Sequence, residues 1–557
     1  MARQISKGFM RGFNGLIAKL ILAVGFLMLN MHPLVVSAQN TLTPSANMLL
    51  DSNALLMPSG SRFGRSINGR ARQSRPLITF GGYQFATWYH NGDNDEQDIY
   101  ISRRDLSDTS NTWHTFDTGY DMSNGDEDGD GGASQNGKWD SHNVIGMGIS
   151  GDGRIHLAYD HHVDTLRYLT TRGVNKATLS SQGWANAAAD PAGTFFVPGG
   201  ERAKFNAQDS GTVNGITYPR FASQANGDLI AEYRTGGSGN GDTNFLSYNS
   251  GNSTNSNGVL NQRWGSSHEV IDGTSSSAGT YSDAYDTSNS NRRNAYLNGI
   301  DSDSTGKLHM TWTWRESTQG ANHDIMYAYS EDGGDTWRNN VGAVVADEGA
   351  GLTINLNSPG IKVVDLDRTN SLMNQQGQTV DQDGGVHTLM WHRRFDEAGF
   401  EWEDGEVFDK SDSAYYHYYR DPLTGQWDCN QLPTIESVGS RPQIGYDANG
   451  DLFAVYTSAN DLIVAGATSN ASFQDWEILY SGTQNFASDP ILDQTRLLND
   501  GVLSIFLQES GATSDVATGS SLRVLEFDVS SVPEPSHFLL ITFIGLTAAS
   551  RRRKTQI

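Results

Sequence analysis

Apolar and polar positions alternate along most of the chain in short runs, and one run recurs seven times. Each copy opens on Gly and continues with alternating apolar residues, most often to a Tyr or Trp. The copies are Gly81–Trp88, Gly153–Tyr159, Gly227–Tyr233, Gly306–Trp312, Gly384–Trp391, Gly450–Tyr456 and Gly501–Phe506. The glycines are spaced by 72, 74, 79, 78, 66 and 51 residues. A Gly, often after Asp or Asn, supplies a tight turn, and period-two alternation is the signature of a strand with a buried face. A repeated turn–strand unit calls for a repeated sheet, so the expected fold is all-β, a seven-bladed β-propeller. A two-domain β-sandwich is the competing arrangement, but a sandwich gives no reason for seven copies of one unit.

The ends follow a different pattern. Residues 1–38 carry Arg3, Lys7, Arg11 and Lys19 with no acid, then an apolar stretch from Leu20 to Val36 and the small residues Ser37-Ala38. This order predicts a secretory signal peptide. Asn30, His32 and Pro33 interrupt the stretch and weigh against a membrane anchor. At the other end, Val532-Pro533-Glu534-Pro535-Ser536 precedes an apolar run, Phe538–Ala549, and the basic cluster Arg551–Lys554. That order resembles the PEP-CTERM sorting signal of Gram-negative bacteria. The resemblance implies exosortase-type processing, transient membrane association through the tail, and delivery to the cell surface or matrix. The expected organisation is a signal peptide (1–38), a lead-in (39–74), the propeller (75–530) and the sorting segment (531–557).

Composition adds constraints. The 557 residues include 61 Gly, 39 Lys+Arg and 64 Asp+Glu, for a net charge of −25. Without the leader and the tail, 31 basic residues face 63 acidic ones, a net of −32. Such acidity argues against nucleic-acid binding, which needs cations to displace phosphate counterions. Aromatic residues at 10% argue against a disordered acidic chain, and a single cysteine, Cys429, excludes an internal disulfide framework.

Against this field, His and Arg collect where the repeated strands end. Tyr89-His90 follows the first, Asp160-His161-His162 the second, Arg234 the third, Arg315 the fourth and His392-Arg393-Arg394 the fifth. A local cationic patch in an acidic protein suggests an anionic ligand, although strand ends carry polar residues in any case. Ser330–Trp337 reads Ser-Glu-Asp-Gly-Gly-Asp-Thr-Trp, the Asp-box turn of sialidase-type propellers. It is a folding motif whose Trp packs between blades, and it says little about activity.

Trp139-Asp140-Ser141-His142-Asn143-Val144, Asp152–His162, Thr217-Tyr218-Pro219-Arg220-Phe221 and Asn322-His323-Asp324 together resemble the BNR-repeat propellers that include ulvan lyases. The resemblance spans roughly residues 75–525. It implies a polysaccharide lyase whose canyon is lined by two His, a Tyr and an Arg, which fall on His142, His162, Tyr218 and Arg234. The His161-His162 doublet leaves two candidates for the second histidine. His161, Arg220, Arg315, His392 and Arg393 are the expected substrate-binding set.

A lyase removes the proton at C5 of a uronic acid and expels the group on C4. A guanidinium suits the carboxylate and the charge that develops beside it, the role expected of Arg234. His142 is the expected base, with Tyr218 competing for that role and otherwise protonating the leaving oxygen. His162 would bind substrate or tune Tyr218. The anionic partner would be a uronic-acid glycan, ulvan-like. Two alternatives stay open: a non-catalytic glycan-binding propeller and a sialidase-like hydrolase, the latter lacking a clear early Arg motif.

The chemistry requires no cofactor. Asp126–Gly131 resembles the start of a calcium loop, but Gly137 stands where an EF-hand needs Glu. Cys429 with His323, His392 and His417 offers zinc-ligand types at spacings too wide to define a site. Trp402 and the cluster Tyr415, Tyr416, Tyr418 and Tyr419 offer either sugar-stacking faces or core.

Overall fold

The computed structural model describes residues 42–530 except 62, 71–73, 93–96, 123–138, 189–194, 199–204, 206–212, 252–263, 284–285, 318–319, 395–409, 436, 460 and 484. The leader, the sorting segment, the Asp126–Gly131 loop and Trp402 therefore lie outside the described residues.

Seven antiparallel sheets form the blades of a β-propeller. The innermost strands are Leu77–Phe80, Gly146–Ile149, Ile216–Ser223, Arg293–Ser302, Gly377–Val380, Gln443–Tyr446 and Ile491–Leu492. Each pairs with one of the repeated strands: Tyr83–Tyr89, Ile155–Ala158, Leu229–Thr235, Leu308–Glu316, Val386–Arg393, Leu452–Ser458 and Val502–Gln508. The recurrent sequence is thus the second strand of every blade. All seven repeat glycines have positive φ, between +58° and +88°. At Gly153 a Cβ would also come within 2.8 Å of the Asn175 backbone, so the turn excludes a side chain on two grounds.

The second strands are buried on both faces, because each sheet is covered by the blade before it and the blade after it. Val386–Arg393 is buried at every position. The Asp-box shows how neighbouring blades lock. Ser330 Oγ accepts from Gly334 N (2.9 Å) and Asp332 Oδ1 from Thr336 N (2.9 Å). The turn aims Trp337, wholly buried, at Phe245 of the third blade, with ring centroids 5.5 Å apart.

A second device recurs in three blades. His156, His309 and His387 occupy the same position of the repeat. The imidazole reaches a turn side chain through Nε2 (Ser150, Asp303 and Asp381) and a third-strand partner through Nδ1 (Tyr168, Tyr327 and His417).

The lead-in expected at 39–74 contains a blade strand. Ala46–Leu56 pairs antiparallel with Thr518–Asp528 and completes the seventh sheet. The N-terminal part of the domain thereby binds its C-terminal part, as ring closure demands. A buried polar seam ties this blade to the first. Arg104 pairs with Glu526, Gln84 Nε2 donates to Asp493 (2.8 Å) and Ser504 (3.0 Å), and Trp88 Nε1 donates to Asp51 (2.7 Å).

The buried histidines set a pH dependence. Burial lowers the pKa of His161, His309, His387, His392 and His417 below the ordinary 6.5, to about 4 for His392. His90, held by its hydrogen bond to Asp51, and His323, where Asp324 and Glu316 outweigh burial, are raised. A lowered group contributes stability above pH 6.5 that is lost as pH falls toward its folded pKa, and a raised group does the opposite. His392, lowered to about 4, therefore contributes stability at pH 7 that is lost by pH 5. That loss is ~2 kcal/mol. Thermal unfolding of the parent and of His392→Gln at both pH values checks this: the variant should show the smaller drop in melting temperature.

Candidate active site

The site lies where the second, third and fourth blades meet, and a carboxylate organises it. Asp140 sits in a turn fixed by His142 N to Asp140 Oδ1 (2.9 Å) and Asn143 N to Asp140 O (3.1 Å). Tyr89 OH donates to Asn143 O (2.8 Å), and Asn143 Nδ2 to Asp160 Oδ1 (2.7 Å). One Asp140 oxygen meets Nδ1 of His142, and the other meets Nδ1 of His162 at 2.7 Å. Burial would raise this carboxyl, but hydrogen bonds from the two imidazoles hold it well below the ordinary carboxylate range. The rings stack with centroids 4.3 Å apart. Nδ1 of both rings is therefore turned to Asp140.

The Asp160–His162 run divides cleanly. His161 is buried, accepts from Arg167 N (2.8 Å), and is held neutral by burial and the nearby Arg167 charge. Arg167 Nη1 donates to Asp160 O (2.6 Å). His161 is therefore a structural pin, and the structure brings only His162 beside His142. A short strand, His162–Asp164, pairs with the inner strand of the third blade, placing His162 opposite Thr217.

That inner strand bulges between Thr217 and Arg220. Tyr218, within the bulge, has φ +56°, and its ring centroid lies 5.5 Å from that of His142. Arg234 lies opposite Thr217 on the neighbouring strand. Its guanidinium carbon sits 4.9 Å from the Tyr218 ring and 4.7 Å from the Tyr296 ring. Arg234 is buried, and neither Nε nor Nη1 has a hydrogen-bond partner among the described residues. A buried cation held by two aromatic faces with free donors is arranged to receive an anion.

The remaining candidates are distributed differently. Arg315 borders the site: its Nε donates to Ser238 Oγ (2.7 Å), the same atom that accepts from Tyr296 OH (3.4 Å). Arg220 is buried in an ion pair with Glu232 (2.6 Å), so its charge is already matched. Burial pushes the Glu232 carboxyl up to about 7 against the opposing charges of Arg220 and Arg234. His392 is buried between Tyr418 OH (2.7 Å) and the Tyr416 ring (4.2 Å), and Arg393 Nη1 donates to Thr369 O (3.3 Å). Both belong to fifth-blade packing. The expected cationic patch thus narrows to the Arg234 and Arg315 neighbourhood. Tyr415, Tyr416 and Tyr418 are core, not sugar-facing surfaces.

Sequence reading missed three residues. Asp140 stands within the quoted motif, and an acid two residues before a His was the available signal. Tyr296 lies on an inner strand outside any motif. Phe63, whose ring centroid is 4.1 Å from that of His142, comes from the lead-in.

Metal-ligand types gather twice among the described residues, as Asp140/His142/His162 and as Asp242/Glu269/Asp272. In the first group both carboxylate oxygens are already engaged by imidazole nitrogens. Cys429 joins neither group.

The fold and the motifs define the class. The chain belongs to the BNR repeat-containing family, whose model matches residues 83–435. It is 24% identical over 530 residues to the short isoform of ulvan lyase from Alteromonas sp. (strain LOR), which covers 86% of this chain and 87% of that protein. The long isoform is 23% identical over 492 residues, 81% of this chain and 43% of that protein. The fold is similar to the crystal structure of polysaccharide lyase Uly1, with TM-score 0.61 and 18% identity over 87% of this chain and 99% of that one. It is also similar to a PL25 ulvan lyase bound to -[GlcA(1-4)Rha3S]-, with TM-score 0.53 and 12% identity over 87% and 96%.

Tyr296 offers a direct test of the site's electrostatics. Burial would raise its phenol pKa, but the Arg234 charge, the Ser238 hydrogen bond and the Arg315 charge bring it below the ordinary 10. Ultraviolet titration should show one early phenol that is absent in Tyr296→Phe and moves upward in Arg234→Gln.

Proposed function

We propose that this protein is an exported polysaccharide lyase that cleaves a uronic-acid-containing, ulvan-like glycan by β-elimination. The observation that carries the reading is the Arg234 guanidinium, with free donors, beside a phenol and a carboxylate-oriented pair of imidazoles. Two ulvan lyase relatives matched over most of this chain support the same class.

Each residue has a defined task in this reaction. Arg234 binds the uronate carboxylate, withdraws charge from C5 and stabilises the enolate-like state. His142 accepts the C5 proton at Nε2, with Asp140 fixing its tautomer through Nδ1. The C5–H electrons form the C4=C5 double bond as the C4–O bond breaks. Tyr218 OH gives its proton to the departing oxygen. His162, the second imidazole on Asp140, orients the substrate beside Tyr218. The reaction needs no redox partner, because one proton leaves carbon and one reaches oxygen.

The leader and the PEP-CTERM-like tail support export and surface delivery. A surface location would put the site in contact with a polymer too large to enter a cell.

Incubating the full chain with ulvan, other uronic-acid glycans and a sialoside tests the reading. A lyase produces ultraviolet absorbance from the unsaturated uronate. His142→Ala and Tyr218→Phe should each lower kcat by about 100-fold or more. Binding without product would favour a glycan-binding propeller, and sialic acid release would favour a hydrolase. Activity that survives both substitutions together would overturn the residue roles.

A further inference from the structure

The segment after the closing strand, Pro58–Arg70, crosses from the seventh blade to the imidazole pair. It is pinned at three places. Arg65 Nη1 donates to Ala512 O (2.8 Å) on the seventh blade, and Asn68 exchanges hydrogen bonds with the Tyr89 backbone on the first (2.9 and 3.1 Å). Ser141 Oγ, one residue before His142, donates to Phe63 O (3.0 Å).

Phe63 is held in a costly conformation. Its φ is +62°, the left-handed region that bulky residues avoid, and Arg70 Nη2 adds a second donor to its carbonyl at 3.3 Å. The ring stands perpendicular to His142 (87°), 5.9 Å from His162 between centroids, and is 51% exposed. A half-exposed aromatic pinned beside two imidazoles contributes little to a core. Val163, next to His162, is likewise exposed and has φ +69°. Strained backbone therefore clusters at this site.

Arg70 also borders a polar cleft of about 420 Å³ between the sixth and seventh blades, with Ser440, Thr457, Asn485, Ser488 and Asp489. Asp489 accepts from Arg441 N (3.0 Å), so that carboxylate has its own partner. Arg70 links the cleft to the imidazole side: its Nε donates to Ser66 O (2.9 Å), and its Nη2 donates to the Phe63 carbonyl that also accepts from Ser141. Its hydroxyls and amide suit a sugar ring, and its cation suits a carboxylate or sulfate.

We propose that the Pro58–Arg70 arm is one wall of an acidic-glycan groove. Phe63 presents an apolar face to the pyranose ring bound beside the imidazoles, and the Arg70 cleft holds a further unit of the same chain. The proposal rests on the glycan specificity of the lyase reading.

The test uses the full chain, ulvan and short ulvan oligosaccharides, with Phe63→Ala, Phe63→Trp and Asn485→Trp. Phe63→Ala should raise KM about fivefold or more without moving the pH profile of kcat, and Phe63→Trp should recover most of that loss. Asn485→Trp, which fills the cleft from its rim, should raise KM for the polymer about fivefold more than for the short oligosaccharides. An unchanged KM in Phe63→Ala, or a shifted pH profile, would overturn the role of Phe63, the shift meaning that it acts only on His142. Equal effects of Asn485→Trp on long and short chains would overturn the cleft. If the parent makes no unsaturated product, the lyase reading fails separately, and calorimetric Kd values for ulvan still decide the groove. Equal Kd across parent and variants would overturn it.

Discussion

A ring of sheets stands or falls on how its last blade is completed. Here the constraint is the antiparallel pairing of Ala46–Leu56 with Thr518–Asp528, which joins two segments more than 450 residues apart in sequence. Without it the seventh sheet would expose an unpaired edge, and Glu526, the partner of Arg104, would lose one of its two flanking strands. Closure fixes the blades against one another, and the site draws on several of them: Asp140 meets His162 of the third sheet, and Arg234 of the third meets Tyr296 of the fourth.

The site shows how an acidic protein keeps a buried cation. Arg220 and Arg293 are matched by buried carboxylates, Glu232 and Glu316. Arg234 instead rests on two phenol rings, which hold a guanidinium without neutralising it. Asp140, the carboxylate nearest the chemistry, is engaged by two histidines.

The seven blades were legible because their signal is local: a turn that demands glycine, followed by a strand with alternating apolar positions. The position of Arg234 at a strand end was legible for the same reason, whereas His142 was singled out by the motifs that resemble BNR-repeat propellers. What was not legible depends on distance. Nothing within Ala46–Leu56 announces a partner at Thr518–Asp528. Nothing in the His161-His162 doublet says that the Arg167 backbone claims the first ring. His392 and Arg393 read like site residues because they end a repeated strand, yet that strand is still buried between blades at those positions. Tyr296 joins the site only because the inner strand of the fourth blade passes beside Arg234.

The closing strand also imposes a schedule. It is among the first parts of the domain to be synthesised, and its partner is among the last. The arm that carries Phe63 to His142 continues directly from it. The wall beside the imidazoles therefore lacks its seventh-blade anchor at Ala512, and the sheet it continues from, until the last residues of the domain are made. A shortened or stalled product would hold His142, His162, Tyr218 and Arg234 in its sequence and still lack a finished site. The topology thus acts as a check on chain completeness, coupling the assembly of the site to the end of synthesis.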